Sequence, residues 1–508
     1  MKKIYTLAAS VLVAGSLFAQ APSLVTDLHP GTNTNSSGVT GGNDSSPTNL
    51  FVFNGEIYFS ADDGSGTNTA GTDVGRELYK TDGTAAGTVF IKDIRPGSSG
   101  SSPFNLFVYD SNLYFTAFDG NSELWTTDGT TAGTTKVDLL PSVNGDVPNR
   151  AVVYIADAFL TVNANGNNNQ LFQWSGFDSS GNIDGEFAED AANPASIVDV
   201  REIVEFDNGL FLYMSYSPDD TRDIGLELYK YDVATNTYTL IEDINPGVNG
   251  SGNPLNSGIS NFTPFLTSLY FEALGNLYVS DSNTANEVPA ANALGLGGVN
   301  NLTKMGDLLL FEADNGTTGD QLYRLDTNTG IVTQLSFIAG ANTNHDPSDY
   351  VMFNGFIYYA AEDDVDDEKH LWRTDGNTIT QLDDTVINVD DIVELNGILY
   401  FEGEDPTTNN GSGSGKELFS FNPATASIDQ LTGMGSIKLA QNPVKNNLNL
   451  VGDITHVKRF NIYDLSGRVV QSGGVNGSST IQHSLSSGAY ILELSGSDHS
   501  KSIKFIVE

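Results

Sequence analysis

The chain has 508 residues, no cysteine, and 64 Asp/Glu against 23 Lys/Arg, for a formal net charge of −41. Disulfides and thiolate metal sites are therefore excluded, and so acidic a surface repels nucleic acid and anionic membranes. With 53 glycines, 10% aromatic and 17% charged residues, the composition is that of a turn-rich, all-β protein with few helices.

Lys2 and Lys3 precede an apolar run from Ile4 to Phe18 and then Ala19-Gln20-Ala21. This is the build of a secretory signal peptide over residues 1–21, and at about fifteen residues the run is short for a spanning helix. The mature protein is thus expected outside the inner membrane with no transmembrane segment. Removing the +2 of Lys2 and Lys3, and the +2 of the tail beyond Ser436, leaves −45 on residues 22–435. Such acid keeps an exported protein soluble, favours cations, and argues against a polyanionic ligand.

The mature chain opens with Leu24-Val25-Thr26-Asp27-Leu28-His29-Pro30-Gly31, a strand without partners nearby. Its ending recurs at Asp93-Ile94-Arg95-Pro96-Gly97 and Asp243-Ile244-Asn245-Pro246-Gly247, where it closes a longer unit. That unit begins with an apolar strand and a tight turn, as in Phe51-Val52-Phe53 followed by Asn54-Gly55; similar turns stand at Asn208-Gly209, Asn354-Gly355 and Asn396-Gly397. Asn-Gly between apolar runs signals a type I′ hairpin, because both central residues need positive φ. The second strand, Ile57-Tyr58-Phe59 or Leu399-Tyr400-Phe401, is continuously apolar, which implies burial on both faces.

The third strand carries the repeat: Glu77-Leu78-Tyr79, Glu123-Leu124-Trp125, Gln170-Leu171-Phe172, Glu227-Leu228-Tyr229, Asn276-Leu277-Tyr278, Gln321-Leu322-Tyr323, His370-Leu371-Trp372 and Glu417-Leu418-Phe419. The leucines are separated by 46, 47, 57, 49, 45, 49 and 47 residues. A period near fifty residues with four strands per period describes a β-propeller blade. The expectation is an eight-bladed β-propeller over residues 22–435, with seven blades the alternative because the copy at Leu277 is short and 175–196 diverges. The orphan strand at Leu24 is expected to close the ring, although the last copy has its own candidate fourth strand at Ile428-Asp429-Gln430-Leu431.

In the first two copies the third strand runs into Thr81-Asp82-Gly83-Thr84-Ala85-Ala86-Gly87-Thr88 and Thr127-Asp128-Gly129-Thr130-Thr131-Ala132-Gly133-Thr134. Asp-Gly and the later glycine suit left-handed positions, and the threonines can bond to backbone, so the octapeptide reads as a turn. With Glu123-Leu124-Trp125-Thr126-Thr127-Asp128-Gly129-Thr130 and Asp93-Ile94-Arg95-Pro96-Gly97, the chain resembles the bacterial secreted proteins that carry the ELWxTDGTxxGTxxVxDIxPG repeat. The resemblance covers most of 24–435 and implies a propeller-like surface protein without an assigned chemistry.

Beyond Ser436 acid falls away and a second domain, 436–508, begins. Its segments Asn442-Pro443-Val444, Tyr463-Asp464-Leu465-Ser466-Gly467-Arg468-Val469-Val470 and Leu485-Ser486-Ser487-Gly488-Ala489-Tyr490 alternate apolar and polar residues between glycine turns, as short strands of a β-sandwich do. The module resembles the type A sorting domain of type IX secretion substrates, with Asn442, Pro443, Gly467, Arg468, Gly488 and Tyr490 at its motif positions; Ala440-Gln441 replaces the usual aromatic-Pro. The resemblance implies recognition by the type IX machinery, removal of the domain, and delivery to the cell surface or medium. A carbohydrate-binding sandwich is the competing reading.

For chemistry, the chain offers no Gly-x-Ser-x-Gly elbow and no His-Glu-x-x-His zinc motif. Carboxylates are too abundant for any glycosidase pair to stand out. Calcium is the cofactor expectation, because loops after the second strands offer oxygen ligands at Asp62, Asp63, Asp119, Asp314, Asp363 and Asp364. His370 stands where other copies carry Glu or Gln and reads as a strand-surface residue; Trp125 and Trp372 read as packing residues and Trp174 as an exposed one. The expected role is a non-catalytic scaffold that binds glycan or protein through loops on one face, with an extracellular polysaccharide-active enzyme as the alternative.

Overall fold

The computed structural model describes residues 21–507 except 35–39, 65–72, 141–146, 164–168, 195, 218–223, 266, 339–342, 408–412, 424–437, 440, 442–443, 446, 452–453, 455–456, 465–468, 476–478 and 496–499. The signal-peptide expectation, Ile428–Leu431, and the sorting-motif residues Asn442, Pro443, Gly467 and Arg468 lie outside the described residues. The chain divides into a unit spanning Ala21–Asn422 and one that contains Pro423–Glu508.

In the first unit, the described residues form eight antiparallel four-stranded sheets, seven of them built from consecutive strands. The first sheet is Thr48–Phe53, Glu56–Asp62, Arg76–Thr81 and Val89–Lys92. The eighth is Ile387–Leu395, Ile398–Glu404 and Glu417–Phe421, completed by Ser23–Thr26 from the opposite end of the chain. That strand pairs Ser23 with Ser420 and Leu24 with Phe419, taking the edge for which Ile428–Leu431 was the other candidate. First strands neighbour one another in sequence order, and the first strand of the eighth sheet lies against Thr48–Phe53 of the first. The sheets therefore succeed one another in a closed, propeller-like cycle.

Burial follows from this arrangement. Ile57 and Phe59 pack with Leu395, Tyr400 and Leu418 of the eighth sheet, whereas Tyr58 and Leu78 pack with Leu113, Phe115 and Trp125 of the second. Successive residues of a strand point to opposite faces, so each face of a sheet meets a different neighbour and the strand reads as apolar throughout. The core is thus a series of intersheet layers rather than one centre.

Asn54 and Gly55 (φ 51° and 80°), Asn354 and Gly355 (50° and 79°) and Asn396 and Gly397 (54° and 86°) adopt the expected left-handed pair. In the fourth sheet the pair is instead Asp207 and Asn208 (47° and 54°), and Gly209 starts the next strand; the turn falls one residue earlier than Asn208-Gly209 suggested. Asp, like Asn, tolerates the left-handed region by bonding locally.

The octapeptide loops are closed by their own side chains. Thr84 donates its N–H (2.9 Å) and hydroxyl (2.7 Å) to Asp82 Oδ1, Thr81 Oγ1 accepts from Gly83 N (3.0 Å), and Thr88 Oγ1 donates to Thr84 O (2.8 Å). Asp128, Thr127, Thr130 and Thr134 repeat this network within 0.1 Å. The glycines have a second duty: a Cβ on Gly129 (φ 84°) would come 2.6 Å from Tyr58 Oη of the preceding sheet, and one on Gly83 (φ 93°) would overlap Tyr400 Oη. Gly83→Ala is accordingly expected to cost about 1–3 kcal/mol through left-handed strain and overlap, read as a lower urea midpoint; Gly55→Ala, with nothing within 4 Å of its Cβ, isolates the strain component.

The second unit, taken by itself, has a three-stranded sheet of Lys438–Leu439, Asn447–Val451 and Thr480–Gln482, and a four-stranded one of Val469–Gly474, Arg459–Asp464, Gly488–Ser495 and Ser500–Val507. Leu448, Leu450, Phe460, Ile462, Leu492, Leu494 and Phe505 form one core between them. Tyr490 stacks on Phe505 (5.8 Å between centroids) and donates to Ser486 O (3.0 Å), which gives this residue a packing reason, while Gly488 begins a strand.

Candidate functional site

The polar residue before the repeat leucine is buried in six of the eight copies, and half-buried at Gln170 and Asn276. Glu77 accepts from Arg95 N (3.1 Å) and from the Ser101 hydroxyl; Glu227 accepts from Ile244 N (2.8 Å). Glu417 accepts from Leu28 N (3.0 Å), Ser45 N (3.2 Å) and Ser45 Oγ (2.6 Å). Each carboxyl ties the Asp-x-x-Pro-Gly turn to the chain entering the next sheet, and Glu417 does this with the N-terminal strand as the fourth strand of its sheet. Burial pushes the three acids up, to about 7, 7 and 8, against the opposing pull of these hydrogen bonds. Gln321 serves in the sixth sheet by accepting from Ser336 Oγ (2.8 Å) and Ile338 N (3.2 Å). The serine partners lay in view of the sequence at Asp44-Ser45-Ser46-Pro47 and Gly100-Ser101-Ser102-Pro103.

The first strands form the inner circle, and they are bulged. Asn49, Asn105, Asn261, Asn301, Asp349 and Asp391 have φ between 49° and 59° at these irregularities. Bulges re-aim side chains, and here several reach the next sheet: Asn261 Nδ2 donates to Asn300 Oδ1 (2.8 Å), Asn301 Nδ2 to Pro347 O (3.1 Å), and Leu50 N to Asp391 Oδ2 (3.0 Å). One sector is acidic. Asp349 is raised by burial and by Asp390, and Asp391 is raised to about 7 by burial first, then by Asp349 and Asp390.

The six carboxylates expected to bind calcium are spread over four sheets, Asp62 with Asp63 and Asp363 with Asp364 sharing one each. Asp62 Oδ1 accepts from Gly64 N (2.9 Å) and Asp314 Oδ1 from Gly316 N (2.8 Å), each closing its own loop. Asp119 lies 3.6 Å from Lys136 Nζ, and Asp364 is exposed. Asp63 is fully buried; Tyr79 Oη donates to its Oδ2 (2.6 Å), and its Oδ1 has no hydrogen-bond partner among the described residues. Asp363 is the one that joins a convergent group, with Asp366 and His370, whose ligating atoms all lie within 4.8 Å of one another.

Two expectations are corrected. His370 is 3% exposed rather than on a strand surface, because the repeat position faces the junction; its Nδ1 bonds to Val386 O (3.1 Å). Trp174 is fully buried rather than exposed, set 4.9 Å from the Tyr109 ring and 5.0 Å from the Tyr114 ring, with its indole N–H donating to Gly176 O (2.6 Å). Trp125 and Trp372 are buried packing residues. His345, fully buried, has Nδ1 2.8 Å from Glu362 O and Nε2 3.1 Å from Tyr359 Oη; burial holds it neutral, with its pKa down to about 4. Among the described residues, neither His345 nor His370 is hydrogen-bonded to a serine or threonine hydroxyl, the contact a nucleophile–base pair needs. A polar depression of about 220 Å³ on the third sheet, lined by Gln173, Ser175, Asp184, Gly185 and Glu186, is smaller than usual ligand pockets.

Residues 441–508 match the secretion system C-terminal sorting domain family. No curated protein matches the chain. Among solved structures, it is similar to a puromycin hydrolase (12% identity, TM-score 0.41, covering 78% of this chain and 59% of that one). It is also similar to the β-propeller domain of the Trilobed protease from Pyrococcus furiosus (10%, TM-score 0.36, 67% and 99%). A third similarity is to PorZ, a surface component of the type IX secretion system of Porphyromonas gingivalis (13%, TM-score 0.23, 91% and 75%). The chain thus spans 59% of the puromycin hydrolase's length. Among the described residues no helix is long and apolar enough to cross a membrane. The C-terminal sorting domain addresses the protein to the type IX machinery and so to the cell surface or the extracellular space.

Proposed function

We propose that this type IX-secreted, propeller-like protein is an eight-bladed β-propeller over residues 22–435, exported by a signal peptide at 1–21 and released from its sorting domain at 436–508. It works outside the cell as a non-catalytic scaffold for adhesion to glycan or protein. One observation supports this reading above others. The buried carboxyls of Glu77, Glu227 and Glu417, whose displaced acidities would suit acid–base catalysis, are engaged by backbone N–H groups or serine hydroxyls at the sheet junctions. They hold the ring together and present no proton to a substrate.

A second reading, a polysaccharide hydrolase or lyase, is favoured by the Asp349, Asp390 and Asp391 group on the inner circle, where burial raises Asp349 and Asp391, since such chemistry uses a pair of carboxyl groups. The full chain, applied to glycan arrays and incubated with the polysaccharides it retains, separates the two. Retention without new reducing or unsaturated ends is expected. Turnover that disappears in Asp391→Asn would replace the scaffold by the enzyme.

A further inference from the structure

We infer that Asp363, Asp366 and His370 form a binding site for one divalent transition-metal ion of the zinc class, a site separate from any ligand-binding surface of the ring.

The seventh sheet departs from the others at the repeat position. Where other copies place a carboxyl or amide to fasten the junction, the seventh sheet places an imidazole, which has two nitrogens on opposite edges. Nδ1 lies 3.1 Å from Val386 O, and a carbonyl can only accept, so Nδ1 carries the proton and does the fastening. In the neutral ring this leaves the Nε2 lone pair aimed elsewhere. It faces Asp363 Oδ2 and Asp366 Oδ1, each 3.8 Å away. That separation is too long for hydrogen bonding, which needs about 2.7–3.2 Å. It suits atoms that share an ion, because ligands about 2.0–2.2 Å from a tetrahedral zinc stand about 3.4 Å apart, a contraction of a few tenths of an ångström for the two histidine–carboxylate pairs.

The surroundings match what a metal-ligating histidine requires. An imidazole fixed by an N–H bond to a backbone carbonyl is oriented and made more basic at its free nitrogen. Asp363 is likewise held: its Oδ1 accepts from Val365 N (2.7 Å) and Asp366 N (3.3 Å), and Gln381 Nε2 donates to Oδ2 (3.2 Å). His370 and Asp363 are buried, while the Asp366 side chain is 46% exposed, which supplies an entry path from solvent. The nitrogen ligand decides the class of ion: calcium takes oxygen donors, whereas an imidazole with two carboxylates suits zinc and its neighbours. An ion there would cross-link the 362–369 loop to the strand His370–Thr374 and to the chain that enters the eighth sheet.

The test uses the full chain, stripped with EDTA and titrated with Co²⁺ followed by visible absorption, then with Zn²⁺ followed by calorimetry. One saturable site per chain is expected, with cobalt bands that zinc removes. Asp366→Asn, at an exposed position that leaves folding intact, should weaken binding about tenfold or more. His370→Gln should do the same, while its amide can still donate to Val386 O as the junction requires. Asp364→Asn, an exposed neighbour outside the group, should bind as the parent does. The inference is overturned if the parent chain shows neither cobalt bands nor saturable heat, if Asp366→Asn and His370→Gln bind unchanged, or if calcium in excess displaces the cobalt.

Discussion

Glu417→Ala is expected to lower the melting temperature by several degrees and to make residues 21–31 a fast site of proteolysis. The eighth sheet is completed by Ser23–Thr26, whose ladder is short and bulged between Leu24 and Thr26, so pairing alone holds the ends of the ring weakly. Glu417 supplements it with three accepted hydrogen bonds, from Leu28 N, Ser45 N and Ser45 Oγ, in a site of zero exposure. Alanine would leave Leu28 N without this acceptor and Ser45 N and Oγ with Lys416 O alone (3.1 and 3.4 Å), a loss of about 1–3 kcal/mol. The intersheet layer of Ile57, Phe59, Leu395, Tyr400 and Leu418 would then open first. Glu417→Gln keeps the shape and one acceptor and should fall between the two. A Glu417→Ala chain that melts and resists protease like the parent would show that side-chain packing alone closes the cycle.

Between pH 4.5 and 8 the stability of the ring should fall as pH rises, the reverse of the usual carboxylate behaviour. Glu77, Glu227 and Glu417 titrate near 4.5 when unfolded and near 7, 7 and 8 when folded, chiefly because burial disfavours their charged forms. In this window the folded chain holds protons that the unfolded chain has released, so each pH step upward favours unfolding. The stabilisation is complete below the unfolded pKa and gone above the folded one. Each unit of displacement corresponds to about 1.4 kcal/mol, so three groups together amount to several kcal/mol. Urea midpoints at pH 5 and pH 8 measure it directly. General repulsion among surface carboxylates acts in the same direction. Replacing the three glutamates by glutamine separates the effects: the midpoint at pH 8 should rise towards its pH 5 value. A slope that survives the triple replacement would assign the pH response to the surface and to the other carboxyls raised by burial, Glu312 and Asp391.

Much of the fold was legible because the repeat is a local signal. The leucine period, the Asn-Gly turns and the continuously apolar second strands each follow from rules that act within a few residues, and Ser23–Thr26 could be matched to a fourth strand by its Asp-Leu-x-Pro-Gly ending. What was misread depended on which way a side chain points. Trp174 lies two residues beyond its repeat leucine's aromatic partner, so strand alternation gives it the same face as Phe172, and a tyrosine pair covers it there. His370 looked like a surface substitute for Glu because a carboxyl outside is commoner than one inside, whereas Glu77, Glu123, Glu227, Gln321 and Glu417 at this position are all buried. The glutamates' service as junction ties was equally hidden, since their serine partners stand 24 residues downstream for Glu77 and 372 upstream for Glu417.

By itself the sequence determined the all-β class, the number of repeat copies, the turn chemistry and the C-terminal sorting module, because each is written in spacing or composition over short distances. The tertiary structure alone decided that the two ends of the first unit share one sheet, that burial raises the pKa of Glu77, Glu227 and Glu417, and that, among the described residues, Asp363, Asp366 and His370 converge while Asp62, Asp119 and Asp314 do not. The physical reason is common to all three: desolvation and ligand geometry depend on distances between atoms brought together by packing, and a linear spacing carries no information about the neighbour on the other side of a sheet.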